Sequence, residues 1–280
     1  MPTHGPAPYL ADAITSVTGA SEIVVVEDGT AEVSAGEVAP ARLIRLPKVG
    51  RSRARNAGVE AVSASLVAFL DADDLSRVGR LERQRASLES APGAALCFGP
   101  VEVVDGGLRP IPEWNRLLAR RLERLVAGGA TYEAILASRC PIYTSATMVR
   151  RAAFLEAGGY DARFDAYEDL DLYLRLSRLG GLVPAPGTPV TTYRLHGANT
   201  DSDRLYEGLL GVVGKHLPDA EGRARRLLLE RQVEALWGLR RLGDVRRAAL
   251  RALAAEPRLL ARPRLVARLL ASLVSPRRRG

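Results

Sequence analysis

The stretch Leu66-Val-Ala-Phe-Leu-Asp-Ala-Asp-Asp74 decides the fold of this 280-residue chain, because a short apolar run ends directly on three carboxylates. Such a run predicts a buried strand. Like charges this close repel one another, so Asp71, Asp73 and Asp74 need a cation or several donors between them. Mg2+ and Mn2+ prefer oxygen ligands and usually bind through one or two carboxylates together with substrate phosphates. A strand that ends in a solvated acidic turn is the alternative interpretation.

The stretch Glu22-Ile-Val-Val-Val-Glu-Asp-Gly-Thr30 repeats this design, with an apolar run followed by acids and a glycine. Two such runs separated by a helical stretch indicate parallel strands that are buried on both faces. Ligands of open α/β sheets gather at the carboxyl ends of such strands. We therefore predict an α/β fold in which both acidic clusters face one crevice.

The segment between these strands, Gly50-Arg-Ser-Arg-Ala-Arg-Asn-Ala-Gly58, places three arginines at the start of a predicted helix. Guanidinium groups bind phosphate or base oxygens through paired donors, which makes Arg51, Arg53 and Arg55 candidate ligand contacts. An exposed basic helix face is the alternative interpretation of so many arginines.

Together the motifs resemble those of family 2 glycosyltransferases of the bacterial cell-surface polysaccharide type. The resemblance implies a GT-A fold, a Rossmann-like mixed sheet flanked by helices. It also implies an inverting, metal-dependent transfer of a sugar from a nucleotide-diphosphate sugar to a hydroxyl of a glycan or lipid-linked acceptor. Besides the two acidic stretches, the matching segments are Arg51-Ser-Arg-Ala-Arg-Asn-Ala-Gly58, Ala157-Gly-Gly-Tyr-Asp161 and Tyr167-Glu-Asp-Leu-Asp-Leu-Tyr-Leu-Arg-Leu176.

The resemblance also implies a nucleotide-binding set. Asp28 falls where the family binds the base, and Thr3 and Arg55 lie near the same pocket. Glu27 stands where the family more often has aspartate. Asp71 is expected to contact the ribose.

A metal site, for Mn2+ or Mg2+, is implied in the same way. Asp73 is expected to hold the metal that bridges the diphosphate, with Asp74 as second ligand or support. His196 follows Tyr193-Arg194-Leu195, where some family members have an imidazole near the metal or diphosphate. A purely structural histidine is the alternative for His196.

The pair Glu168 and Asp169 supplies the candidate catalytic acids, and Asp169 matches the family's general base. The same acids also suit the first turn of an amphipathic helix, where the helix dipole favours negative charge. The two interpretations are compatible, because a helix N-terminus is a rigid mount for a carboxylate. Ser145 and Thr147, in a strand before the acceptor helix, are expected either to line the acceptor cleft or to pack beneath it.

The N-terminus departs from the family pattern. Pro2 and Thr3 match the end of the family's first strand, so the strand itself is expected to be missing, which would expose backbone groups on its neighbours. A start codon assigned too far downstream is our interpretation, and in-frame apolar codons upstream of Met1 would test it.

We expect a GT-A domain over residues 1–203, with a nucleotide-binding half over about 1–104 and an acceptor half over about 105–203. The region 204–280 is predicted to be helical. It carries 18 basic and 7 acidic residues, a net charge of +11 against +8 for the whole chain. Its arginine-rich segments, ending in Arg277, Arg278 and Arg279, suggest adhesion to an anionic membrane surface, with a solvated helix face as the alternative.

Other classes of function lack their motifs. Neither a Gly-x-Gly-x-x-Gly dinucleotide motif nor a Gly-x-x-x-x-Gly-Lys-Ser/Thr loop occurs, and no nucleic-acid motif accompanies the basic tail. No signal peptide or membrane span is visible, and Cys97 and Cys140 lack metal-ligand spacing. These features predict a cytoplasmic protein, held at the inner face of the plasma membrane if the tail binds lipid. A catalytically impaired relative that binds nucleotide or glycan is the alternative function.

Overall fold

The computed structural model describes residues 1–30, 32–196 and 202–274, with side chains described as far as residue 272. The chain divides into two compact units, Met1–Asn199 and Thr200–Gly280. The first unit is α/β and the second is helical.

The first unit contains ten strands and seven helices in its described part. The strands are β1 Pro2–Thr3, β2 Val24–Asp28, β3 Arg42–Leu46, β4 Leu66–Ala68, β5 Leu75–Ser76, β6 Leu96–Phe98, β7 Val101–Val104, β8 Thr147–Arg150, β9 Leu182–Pro184 and β10 Thr191–Arg194. The helices are α1 Leu10–Thr15, α2 Arg51–Ala61, α3 Arg80–Ser90, α4 Pro112–Ala127, α5 Tyr132–Ser138, α6 Arg151–Glu156 and α7 Glu168–Leu179.

The strands form three sheets with the orders β1-β2-β3, β5-β10-β7 and β4-β8-β6-β9. The first sheet is parallel, and the other two mix parallel and antiparallel pairs. The prediction of a mixed α/β architecture is confirmed. The prediction that both acidic stretches follow parallel strands is wrong for β4, because β4 pairs antiparallel with β8.

A short first strand is present, although the sequence predicted that it is missing. In β1, Pro2 lies opposite Val26, and the carbonyl of Met1 accepts a hydrogen bond of 2.8 Å from the Val26 amide. Next to β1, a cavity of about 580 Å³ lies between the sheet of β2 and the sheet of β4. Residues Leu66–Ala68 line this cavity and are only half-buried, whereas every residue of β2 is buried.

Several arginines close the gaps between elements by donating to backbone carbonyl groups. Arg80 is 2% exposed and donates to the carbonyls of Phe69 (2.7 Å) and Thr147 (3.2 Å), which ties the ends of β4 and β8 to α3. Two more arginines make the same kind of contact: Arg83 with the carbonyls of Thr188 and Pro189, and Arg150 with those of Leu88 and Ala94.

The second unit consists of α8 Ser202–His216, α9 Gly222–Gly238, α10 Leu242–Ala255, a 3-10 turn over Pro257–Ala261 and α11 Pro263–Val274. The prediction of a helical tail is therefore confirmed. Gly243 and Asp244 lie in the first turn of α10, and the chain reverses just before it at Arg240, which has a φ of 56°. Across the described residues, none of the helices is long and apolar enough to span a bilayer.

Candidate active site

The acid turn after β4, residues Asp71 to Asp74, is held from below. The Asp71 amide donates to the Ser145 hydroxyl oxygen (3.0 Å), and an oxygen of the Asp74 carboxyl accepts from the Arg194 amide (2.9 Å). Asp74 has no exposed surface, and burial, together with the charges of Asp71 and Asp73, raises its pKa well above the usual range. Of the two roles expected for Asp74, its inward position fits support of the turn rather than direct contact with a metal.

Asp73 and His196 meet at the open side of this turn. The Asp73 carboxylate lies 2.8 Å from Nε2 of His196, and both side chains are 30% exposed. Within the described residues, no group of three or more histidine, cysteine, aspartate and glutamate side chains is arranged to hold a metal. One carboxylate and one imidazole nevertheless fit a hard divalent cation that takes its remaining ligands from phosphates and water.

Arg55 of α2 bridges two acids inside the fold. Its guanidinium donates to Asp71 and to Glu168, each over 2.7 Å, and its side chain is 4% exposed. Burial disfavours a charged Asp71, but the adjacent Arg55 holds the pKa of Asp71 below its usual value. Arg55 was expected near the nucleotide base. In this structure both ends of its guanidinium are engaged by acids of the protein.

Asp169 and Glu168 open α7 but have different surroundings. Glu168 is 5% exposed and paired with Arg55, whereas Asp169 is half-buried and accepts a hydrogen bond of 2.7 Å from the Leu170 amide. Burial, and secondly the negative charge of Glu168, raise the pKa of Asp169 to about 7. Tyr167 precedes the helix in a left-handed conformation, with a φ of 59°. Asp169 is therefore poised to exchange a proton near neutral pH.

A second buried network fixes the glycine-rich turn before α7. Asn56, next to Arg55 on α2, exchanges hydrogen bonds of 2.9 and 2.8 Å with the backbone of Tyr160. Asp171 is fully buried and binds Arg175, which donates to the carbonyl of Gly159 (2.7 Å). Sequence reasoning missed Asp171 and Arg175. Their spacing of four residues on a helix, acid before base, was the available signal.

The two acids of β2 that were expected to bind nucleotide, Glu27 and Asp28, accept hydrogen bonds from groups of the protein itself. The Asp28 carboxylate accepts from the amides of Val49 (2.6 Å) and Gly50 (2.9 Å), and it is 6% exposed. Glu27 is 1% exposed and accepts a hydrogen bond of 3.0 Å from Arg45. The Thr3 side chain is buried as well. In this structure, Asp28 organises the loop that leads into α2.

Ser145 and Thr147 lie under the acid turn. They are 1% and 0% exposed, and the Thr147 hydroxyl donates to the carbonyl of Thr144 (2.8 Å). Packing beneath the cleft, rather than lining it, is therefore the alternative that their burial supports.

The α/β unit, with acids at the ends of β4 and at the start of α7, has the architecture of GT-A glycosyltransferases. In a structural comparison with Staphylococcus aureus TarS 1–349 in complex with UDP-GlcNAc, the alignment covers 97% of this chain and 87% of TarS 1–349, with a TM-score of 0.65 at 14% identity. Residues 4–218 match the family model described as glycosyltransferase like family 2, so the chain belongs to this family. The resemblance read from the sequence motifs is confirmed.

Two curated relatives extend the comparison. The chain is 31% identical to the amylovoran biosynthesis glycosyltransferase AmsE of Erwinia amylovora over 169 residues, 58% of this chain and 59% of AmsE. It is 28% identical to the pre-mycofactocin glycosyltransferase of Mycobacterium tuberculosis over 187 residues, 64% of this chain and 38% of that protein. The chain therefore matches less than two thirds of the length of either relative.

Proposed function

We propose that this protein transfers a sugar from a nucleotide-diphosphate sugar to a hydroxyl group of a glycan or lipid-linked acceptor, with inversion at the anomeric carbon. One observation carries the proposal: Asp169, with its pKa near 7, is joined through Glu168, Arg55 and Asp71 to the turn that presents Asp73. Related proteins support the substrate class, because TarS binds UDP and UDP-GlcNAc and AmsE acts in amylovoran biosynthesis.

The reaction follows from one positioned base. As the acceptor oxygen forms its bond to the anomeric carbon, its proton passes to the Asp169 carboxylate. The bond from the anomeric carbon to the phosphate oxygen breaks, and its electron pair leaves with the nucleoside diphosphate. A single displacement from the face opposite the leaving group inverts the anomeric centre, and general-base catalysis of this kind contributes about 10² to 10⁴ in rate.

The diphosphate leaving group needs positive charge. A bound Mn2+ or Mg2+ supplies Lewis-acid stabilisation of the departing phosphate oxygen. Asp73 and His196 are the residues that would hold it, with Asp74 supporting the turn from beneath. We propose that Asp71 contacts the ribose and that Thr3, Glu27 and Asp28, which are buried, support the base pocket from within the protein.

We propose that residues 1–203 carry this activity, with donor binding mainly over residues 1–104 and acceptor binding over residues 105–203. A relative that binds nucleotide or glycan without turnover is the second candidate. The cavity of about 580 Å³ between the sheets of β2 and β4 favours it, since unfilled space behind the donor half loosens the packing there.

A screen of nucleotide sugars for Mn2+-dependent hydrolysis and transfer tests the function. We expect Asp73→Ala to abolish Mn2+-dependent donor binding. Asp169→Asn should retain donor binding and lose about 10² to 10⁴ in transfer. Asp12→Asn is a matched control, because Asp12 is an exposed acid in the first turn of α1. Equal loss of donor binding in the Asp73 and Asp169 variants would reject these roles, and binding without turnover in the wild type would favour the second candidate.

We further propose that the basic tail adheres to an anionic membrane surface. Leu250, Leu260 and Leu270 are 54%, 64% and 56% exposed, which is unusual for leucine, and exposed arginines accompany them in the same segment. The predicted terminal arginines, 277–279, lie outside the described residues. Interfacial leucines combined with arginines suit a surface of anionic lipid.

Point substitutions test this better than truncation at residue 257. Leu259, Leu265 and Leu269 belong to the buried core of the helical unit, so a truncation would also remove packing. We expect the triple change of Arg251, Arg258 and Arg264 to glutamine to reduce co-sedimentation with vesicles containing phosphatidylserine, while the protein stays folded. Unchanged partitioning would reject membrane adhesion.

A further inference from the structure

We propose that Arg194 is a positioning residue, which fixes the acid turn in the shape that lets Asp73 bind a divalent cation. This inference rests on the proposed function, because it concerns the same metal-dependent site. It assigns a role to a side chain that the sequence motifs left without one.

Arg194 contacts the acid turn at two successive residues. Its Nε donates to the backbone carbonyl of Asp73 and its own amide donates to the carboxyl of Asp74, both over 2.9 Å. Arg194 is 3% exposed, so these bonds form away from bulk water, where each contributes more to holding a fixed geometry. These bonds fasten the turn at the Asp73 carbonyl and the Asp74 carboxyl, and the Asp73 carboxylate stays partly exposed.

Arg194 is itself anchored by two other segments. Its Nη1 donates to the carbonyl of Gly106 (3.1 Å), in the turn that follows β7. Its guanidinium carbon lies 4.0 Å from the centre of the Tyr9 ring at the start of α1, a cation–π arrangement. Arg194 thus connects the acid turn to the turn after β7 and to the start of α1, both of which lie outside the sheet of β4.

The register of β10 explains why Arg194 and His196 act on the same aspartate. β10 pairs with β5 and β7, and Arg194 lies opposite Val104. In an extended chain, residues two apart point to the same side. Arg194 therefore reaches the carbonyl of Asp73, while His196 reaches its carboxylate.

A role through charge and a role through position predict opposite effects of Arg194 substitutions on cation affinity. If Arg194 acted only through its charge, its removal would leave the acids more negative and tighten cation binding. If it acts by position, any change that loses the forked contacts should weaken cation binding, even when the charge is kept. Lysine keeps the charge but lacks the fork, and methionine keeps the apolar stem alone.

The test is Mn2+ binding to purified protein in the presence of UDP, measured by the electron paramagnetic resonance signal of free Mn2+ and by calorimetry. We expect Arg194→Lys and Arg194→Met each to weaken Mn2+ binding by about 10-fold or more, as changes to residues that orient metal ligands do. With saturating Mn2+, transfer by the lysine variant should return to within about threefold of wild type.

Arg83→Met serves as the matched control, because Arg83 also donates to loop carbonyls but lies on α3 and contacts no residue of the acid turn. It should bind Mn2+ as the wild type does. Unchanged affinity in both Arg194 variants, or tighter binding in Arg194→Met, would overturn the inference and leave the proposed function standing. Equal weakening in Arg83→Met would overturn it as well. Lack of Mn2+ binding by the wild type would instead overturn the metal role itself.

Discussion

Arg55 and Glu168, which are 113 residues apart in the chain, form an ion pair of 2.7 Å whose side chains are only 4% and 6% exposed. The same guanidinium also binds Asp71, so one arginine joins the acid turn of the nucleotide-binding half to the helix that carries Asp169. The guanidinium of Arg55 therefore fixes the position of the acid turn relative to the start of α7.

The first prediction concerns this bridge. Arg55→Met leaves the buried Glu168 and the partly exposed Asp71 without their cation, so we expect it to lower the free energy of unfolding by about 3–5 kcal/mol. Arg42→Met is the matched comparison. Its partner Glu22 lies 3.6 Å away and both side chains are at least 33% exposed, so the cost should be about 0–1 kcal/mol. Urea unfolding measures both, and equal costs would contradict the bridging role.

The second prediction is a pH profile. Because burial raises the pKa of Asp169 to about 7, the base is half protonated near neutrality. We expect the logarithm of kcat, measured at saturating Mn2+, to rise with a slope of about one against pH below about pH 7 and to level off above it. A flat profile between about pH 5.5 and pH 8 would exclude Asp169 as the group that accepts the proton.

The third prediction concerns stability at the same residue. The folded protein binds a proton at Asp169 up to about pH 7, whereas an unfolded aspartate releases it near pH 3.9, so stability falls as the pH rises through this window. Asp169→Asn removes the effect. Its melting temperature should exceed that of the wild type most at pH 8 and least at pH 4. A difference in melting temperature between Asp169→Asn and wild type that stays constant with pH would contradict the shifted pKa. The exposed control Asp12→Asn should show no such rise in the difference between pH 4 and pH 8, and an equal rise in both variants would contradict the shifted pKa as well.

The fourth prediction separates two glycines of one turn. Gly158 and Gly159 both have positive φ, 79° and 66°, so alanine is strained at either position. A Cβ on Gly159 would also lie 2.7 Å from the Asn56 side chain, whereas one on Gly158 meets nothing within 4 Å. Gly159→Ala should therefore be the less stable variant by differential scanning calorimetry, and it should also lose more activity because Asn56 neighbours Arg55. Equal melting temperatures would show that Asn56 moves aside freely.

The fifth prediction uses the cavity beside β1. Since Pro2 lies opposite Val26, residues added before Met1 would run past Val24, Ile23 and Glu22, along the cavity wall. A five-residue apolar extension should raise the melting temperature by several degrees, because it buries apolar surface and pairs with strand edges. An extension of glycine and serine is the control. No difference between the two extensions would mean that the cavity does not accept a strand.

Much of the fold was predictable because its signals are local. The apolar runs at Val24–Asp28 and Leu66–Ala68 do form strands, and the tail after residue 203 does form helices. Sheet order was harder to predict, since a run of apolar residues carries no information about its partner. The sequence therefore did not reveal that β4 runs antiparallel to β8.

The site was only partly predictable, for a different reason. Motifs identify which residue types gather in the crevice, but not which side chains are already bound within the protein. Arg55, Asp28 and Asp74 are buried and hydrogen-bonded, whereas Asp73 and Asp169 are partly exposed. Arg194 was missed because its guanidinium donates to main-chain carbonyls, which sequence patterns do not display.

The carbonyl-binding arginines bear on how this protein tolerates charge engineering. A library that replaces arginine by lysine preserves net charge, but one ammonium group would then have to replace a guanidinium fork. At Arg80 the fork serves two carbonyls through Nη2 and the Gln84 side chain through Nε, and at Arg150 it serves two carbonyls through Nε and Nη2. Such a library should be depleted at these positions and neutral at exposed ones such as Arg85. Several arginines of this protein are therefore structural residues, because they donate to backbone carbonyls of neighbouring elements.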